Sequence, residues 1–340
     1  MVSDKLSSSA SELRQDLVSG DWVAVATGRA KRPHAFIEKK KALFNQPKSK
    51  CPFEKLEAGA IFAYTRDGNI ATKDTWWVAA ITNKYPAFGR GICAVFYDVG
   101  PYQWTQGVGF HEVIVTRDHA RSIALMQQNE AEQILRLYQE RIRVMREDDC
   151  VKYISVFHNH GRAAGASISH PHSQIIALPV VPPDVGRSIK GSLDYFERFN
   201  TCVHCAIVGY ELEAGERIIY ENDHCVVYAP FASKTAFEIR IFPKKHRARF
   251  EDAIVEERAS LADAMRVALA KLLRGLKNPD YNFFIHTAPV GHSKKFDHYH
   301  WHVEILPKTA IWTGFEIGTG IEISTITPEA AAVFLREISV

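Results

Sequence analysis

Runs such as VIVT (113–116) and IRIF (239–242) look like strands in the pattern of apolar and polar positions along the chain. Each run is followed by a stripe at helical spacing: Ile134, Tyr138, Ile142 and Met145 after the first, and Leu261, Met265, Leu269, Leu272 and Leu276 after the second. These stripes predict two long amphipathic helices that pack their apolar faces into a core, the second ending before Asn278-Pro279-Asp280. Two more strands are expected after each helix. The predicted unit is therefore α+β, a mostly antiparallel sheet backed by a helix.

The unit occurs twice. YISVFHNHGRAAGASISHPHSQIIALP (153–179) lies without gaps on YNFFIHTAPVGHSKKFDHYHWHVEILP (281–307), which pairs Tyr153 with Tyr281, His158 with His286, His170 with His298 and His172 with His300. Upstream, EVIVTRDHAR (112–121) resembles EIRIFPKKHRA (238–248) and pairs His119 with His246, while Cys51 of CPFE lines up with Cys202 of CVHC. The expected organisation is a first domain over 1–180, a linker over 181–200 that starts with Pro182-Pro183 and continues as a helix, and a second domain over 201–340.

Composition narrows the class. The 340 residues are 46% hydrophobic and 24% charged, which is globular, and a formal charge of +3 gives no reason to expect nucleic acid or an anionic membrane as partner. The apolar runs are short and the N-terminal MVSDKLSSSASELRQ is polar, so a soluble cytoplasmic protein is expected. Six cysteines in such a chain suggest reduced thiols and metal ligation over a disulfide framework.

Zinc takes four soft or borderline ligands, commonly a close pair plus distant residues. Cys202, Cys205, His246 and His298 form such a set in the second half, and Cys51, Glu54, His119 and His170 form its counterpart in the first. Glutamate in place of a second cysteine is a harder ligand that alters affinity or metal preference. With all four positions filled by protein, one or two structural zinc sites are expected.

The loop NHGRAAGAS (159–167) has the small residues that let backbone N–H groups approach an anion, and Ser167 adds a hydroxyl donor. Beyond it His170, His172 and Gln174 share one face of a strand. With His170 drawn into a metal site, His172 faces the loop. A neutral imidazole there is a nucleophile toward an α-phosphorus, provided a backbone carbonyl near His170 holds the Nδ1 proton and leaves Nε2 free.

The run N-x-G-x-x-x-G-x-S-x-x-HPH-x-Q (159–174) resembles the galactose-1-phosphate uridylyltransferase family, the Gln-bearing branch of the histidine triad superfamily, and implies two repeated histidine-triad-like domains. SGDWVAVATGRAKRP (19–33), TNKYPAF (82–88), TRDHA (116–120) and GFEIGTG (314–320) are similar to further family segments, so the resemblance spans about residues 13–338. It implies that His172 is the uridylylated nucleophile and that Gln174 contacts the transferred phosphoryl group. It also implies phosphate-side roles for Arg29 and Arg32, a phosphate loop of Asn159, Gly165 and Ser167, a nucleotide-side Asn83, a Glu316 that reads sugar hydroxyls, and a homodimer with sites completed across its interface. Lys84 departs from the aspartate of some members near the nucleoside. In the second half HYHWH (298–302) is a full triad without a matching small-residue loop, so His300 and His302 are expected to be relics or sugar-side residues.

The leading expectation is a ping-pong transferase of galactose metabolism that turns UDP-glucose and galactose 1-phosphate into glucose 1-phosphate and UDP-galactose. Its rival is a phosphorylase in which inorganic phosphate takes the nucleotidyl group, as in ADP-glucose or diadenosine tetraphosphate phosphorylases. A non-catalytic zinc-dependent nucleotide-binding regulator is the distant alternative. Hydrolysis is disfavoured because Gln174 is an amide and cannot act as a general acid or base.

Overall fold

The computed structural model describes residues 11–26, 36, 44–56, 59–93, 95–291 and 293–340. Arg29 and Arg32 lie outside these described residues. The first half contains β1 (Glu12–Gln15), β2 (Trp22–Val25), β3 (Phe62–Tyr64), β4 (Val78–Thr82), the hairpin β5 (Tyr97–Val99) and β6 (Tyr102–Trp104), β7 (Phe110–Thr116), α1 (Gln128–Met145), β8 (Tyr153–His160) and β9 (His172–Leu178). Then come α2 (Pro183–Phe199), α3 (Val203–Ala214), β10 (Ile218–Glu221), β11 (Cys225–Tyr228), β12 (Ile239–Pro243) and α4 (Val255–Gly275). The chain closes with β13 (Tyr281–His286), β14 (His302–Pro307), α5 (Gly314–Thr319), β15 (Glu322–Ser324) and α6 (Pro328–Glu337).

Ten strands form one antiparallel sheet in the order β10-β11-β12-β14-β13-β8-β9-β7-β4-β3. Outward from the β8–β13 seam, both arms run in the same sequence of connections. The seam is a full ladder, with Phe283 opposite His158 and Ile285 opposite Val156. A single apolar core runs under both arms, joining Ile134, Tyr138 and Ile142 of α1 to Leu261, Met265 and Leu269 of α4. The two helices also meet through Arg258, whose Nη1 donates to Gln139 Oε1 at 2.9 Å. The predicted α+β architecture is thus observed, with both helical stripes on the buried face. The segment expected as a linker is the helix α2, where Gly191 approaches the Val18 carbonyl so closely that a Cβ would overlap it.

The gapless repeat alignment needs correction. His158 lies opposite Ser173 and faces the helices, whereas His286 lies opposite His302 and faces the other side of the sheet. Strand side chains alternate faces, so a one-residue slip exchanges core and surface. The cysteines also differ from expectation: Cys93 and Cys150 form a disulfide across 57 residues, while Cys51, Cys202, Cys205 and Cys225 are free. Among the described residues no helix is long and apolar enough to cross a membrane.

Candidate active site and metal groups

Strand β9 sets the geometry. His172, Gln174 and Ile176 point away from the helices, and across the ladder from them stand Val115, Val113 and His111 of β7. The His172 Nδ1–H donates to the carbonyl of His170 at 2.8 Å, leaving Nε2 as the ring nitrogen with a free lone pair. Phe53 packs on the same ring, with centroids 5.1 Å apart. Burial pushes the His172 pKa below its ordinary value, partly opposed by the hydrogen bond to the His170 carbonyl, and the net downward shift favours a neutral nucleophile at pH 7.

The glycine loop is latched to the second half of the chain. Gly161 has φ of 81° and ψ of 163°, a conformation left essentially to glycine, and a Cβ there would overlap the Asp280 carboxylate. That carboxylate accepts from the Ala163 N–H at 2.6 Å. Asn282 Nδ2 donates to Asn159 Oδ1 at 2.7 Å and to the Ala164 carbonyl at 2.8 Å, so the Asn159 amide keeps its N–H₂ end facing Gly165. Gly165 adopts φ of 89°, and Ser167 is exposed at the rim. A cavity of about 960 Å³ opens against this loop and Asp280, its lining ending at Pro171, one residue before His172.

Asn83 also reaches the site, with its Nδ2 3.0 Å from His111 Nε2, and His111 Nε2 in turn 2.7 Å from Gln174 Oε1. Glu316 is elsewhere: it lies on exposed α5 and accepts from the Thr313 N–H and hydroxyl, capping that helix.

Both metal sets converge, one with a change of ligand. The donor atoms of Cys51, Glu54, His119 and His170 lie within 4.8 Å of one another, as do those of Cys202, Cys205, His246 and His300. His300 therefore replaces the expected His298, which turns to the backbone of Ile189 in α2. The cause is loop length, since 287–301 is longer than 161–171 and moves the equivalent of His170 two positions along. The same shift makes His302 the counterpart of His172, and its Nδ1 donates to the His300 carbonyl just as His172 does to His170.

The residues present suit a metal. His119 and His170 donate Nε2–H to the carbonyls of Gln46 and Thr116 at 2.8 Å each, and His246 does the same to Asp297 at 2.7 Å. Holding that proton leaves each Nδ1 lone pair pointing at the neighbouring sulfur or carboxylate, the usual outer-shell arrangement of a histidine ligand.

The second triad is filled by its own side chains. Glu304 stands two residues after His302 as Gln174 does after His172, but it meets Arg240 at 3.1 Å and His286 at 3.2 Å. Arg240 reaches on to Asp16 at 3.0 Å. Burial would raise the Glu304 pKa, yet Arg240 and His286 hold it well below the carboxylate range, so an ion-paired network stands where the first half has Val113 opposite Gln174.

Sequence reasoning missed His111, Gln46, Asp280 and Asn282. The first lay in view in GFHEV (109–113), but nothing local tied it to Gln174; the others act across the fold.

A backbone-held imidazole beside a glycine loop and two amides defines an enzyme of the nucleotidyltransferase and phosphorylase class. Comparison with known proteins agrees. Residues 2–182 match the family described as galactose-1-phosphate uridyl transferase, N-terminal domain, and residues 104–336 match a domain of unknown function. The chain is 35% identical over 345 residues to ADP-glucose phosphorylase of Arabidopsis thaliana, covering 99% of this chain and 95% of that protein. It is 28% identical over 338 residues to galactose-1-phosphate uridylyltransferase of Thermotoga maritima, covering 97% and 99%. The crystal structure of an ADP-glucose phosphorylase from Arabidopsis thaliana with bound ADP-glucose superposes with a TM-score of 0.78 at 31% identity, covering 97% of this chain and all of that one. The chain belongs to the galactose-1-phosphate uridylyltransferase family.

Proposed function

We propose that the protein transfers a nucleoside monophosphate from a nucleotide sugar to a phosphate-bearing acceptor through a covalent adduct on His172. The observation that carries this is the Nδ1 hydrogen bond to the His170 carbonyl, which aims an uncharged Nε2 outward. Nε2 attacks the α-phosphorus, the N–P bond forms, and the sugar 1-phosphate leaves with the electrons of the broken P–O bond. The Nδ1 proton stays on the ring, and the His170 carbonyl stabilises the cationic adduct. An oxygen of the acceptor phosphate then attacks phosphorus and the neutral imidazole is released. Asn159, Gly165, Ser167 and Gln174 supply donors to the phosphoryl oxygens.

Two donor–acceptor pairs fit this chemistry. UDP-glucose with galactose 1-phosphate is supported by the family motifs, and ADP-glucose with inorganic phosphate by the 35% identical relative, while Lys84 departs from the aspartate of some members and weakens the case for uracil. Cys51, Glu54, His119 and His170 would hold one zinc, and Cys202, Cys205, His246 and His300 another; zinc in closed four-ligand groups supplies structural rigidity. We also infer that the two arms of the sheet are copies of one unit joined near 181–200. A homodimer is supported by the β5–β6 hairpin, which exposes Val99, Tyr102 and Trp104, and the family resemblance assigns Glu316 to the sugar of the partner's site.

The test mixes wild type and His172→Asn with ADP-glucose or UDP-glucose and measures intact mass. An acid-labile adenylyl or uridylyl adduct on wild type alone supports the reading and names the base. Turnover by folded His172→Asn at the wild-type rate overturns it.

A further inference from the structure

A glutamine side chain presents opposite chemistry at its two ends. The N–H₂ end attracts a phosphoryl oxygen and the C=O end repels it, so the action of Gln174 depends on which end faces His172. The neighbours settle this. His111, itself 9% exposed, has Nδ1 3.1 Å from the backbone N–H of Ala87. A backbone N–H can only donate, so Nδ1 is the acceptor and the ring carries its proton on Nε2. That Nε2–H donates to Gln174 Oε1 at 2.7 Å and occupies its carbonyl end. Asn83 Nδ2 stands 3.0 Å from the same nitrogen, and because two donors cannot bond each other, it gives the ring no hydrogen bond and leaves the Ala87 N–H to fix the tautomer. Its own Oδ1 is taken by the Tyr85 N–H at 2.9 Å.

We propose that His111 is a positioning residue that holds the Gln174 amide with its N–H₂ end toward the phosphoryl group on His172. Through Ala87 it also ties that amide to the nucleotide-side loop 83–88. This rests on the nucleotidyl-transfer reading of the site. A rotated Gln174 would set its own donors against the Nε2–H, so the imidazole selects one rotamer before substrate arrives. Loss of that selection slows transfer but leaves substrate binding largely intact, because Gln174 acts where charge develops in the transition state.

The experiment uses the full chain and two variants. His111→Leu removes the donor, and His111→Gln restores an N–H at similar reach. Adduct formation on His172 in a single turnover with ADP-glucose or UDP-glucose should slow about 10- to 100-fold in His111→Leu, as when one positioned donor is lost. Nucleotide-sugar affinity should change less than about 3-fold, and His111→Gln should return the rate to within about 5-fold of wild type. Equal slowing in both variants, with equal loss of Tm, reduces His111 to packing and overturns the proposal. A long-range ¹H–¹⁵N spectrum of histidine-labelled protein, assigned by the signal missing in His111→Gln, reads the tautomer directly. An Nε2–H ring supports the proposal, and an Nδ1–H ring refutes it. If wild type forms no adduct with either donor, the transfer reading has failed, while the tautomer still decides which end of Gln174 His111 holds.

Discussion

Replacing Gly161 by alanine tests the latch that shapes the phosphate loop. At φ 81° and ψ 163° an alanine is strained by roughly 1–3 kcal/mol. Its Cβ would also stand closer than 3.0 Å to the Asp280 carboxylate, so that group must retreat and give up the Ala163 N–H. A hydrogen bond from a backbone N–H to a charged acceptor is worth about 1.5–3 kcal/mol, which brings the full cost of holding the native loop to about 2.5–6 kcal/mol. The loop is exposed and can shift alone, so global stability falls by less, with Tm lower by only a few degrees at this chain length. Catalysis has no such escape, because an ångström of misplacement costs on the order of 100-fold. The assay is the rate of His172 adduct formation beside Tm, for Gly161→Ala, Asp280→Ala and the double variant. Removing the carboxylate relieves the overlap, so the double variant should be no slower than Gly161→Ala alone, a non-additive outcome for contacting residues. A Gly161→Ala protein that keeps more than about one third of the wild-type rate would refute the argument that loop geometry controls the site.

His300→Ala should remove one equivalent of bound metal by elemental analysis, whereas His298→Ala should retain it, since only His300 brings a ring nitrogen to Cys202, Cys205 and His246. His172 has a pKa below 6.5, so the acid limb of kcat/KM should fall below pH 6.5; an inflection at or above 6.5 would contradict the buried ring. His158 and His302 are also depressed by burial, His302 to about 4, and their unfolded forms bind protons first. Their contribution to stability is complete above pH 6.5 and is lost as pH falls toward 4, which a Tm series across that window measures. Thiol titration of the denatured protein should find four free cysteines, and reduction of Cys93–Cys150 should destabilise by at most about 4 kcal/mol for a loop of 57 residues. Arg240→Met leaves Asp16, Glu238 and Glu304 without their shared cation and should cost about 3–5 kcal/mol in denaturant melts; a neutral result would mean the network is water-screened.

The chain on its own determined the parts whose cause is local. Although β7 and β12 are buried at every position, where alternation would expose every second residue, their existence, the stripes of α1 and α4 and the HPH-x-Q strand follow from local sequence pattern. The same holds for placing His172 and Gln174 on one face beyond a glycine loop. Tertiary structure alone decided which histidine joins Cys202, Cys205 and His246, because a longer loop shifts the pairing by two positions and changes which rings converge. It alone joined Cys93 to Cys150, placed Asp280 and Asn282 against a loop more than a hundred residues away, and set His111 on Gln174. Those contacts depend on how strands from distant stretches come to lie side by side. Hydrogen bonds between such neighbours act over about 3 Å, a separation that no spacing along the sequence encodes.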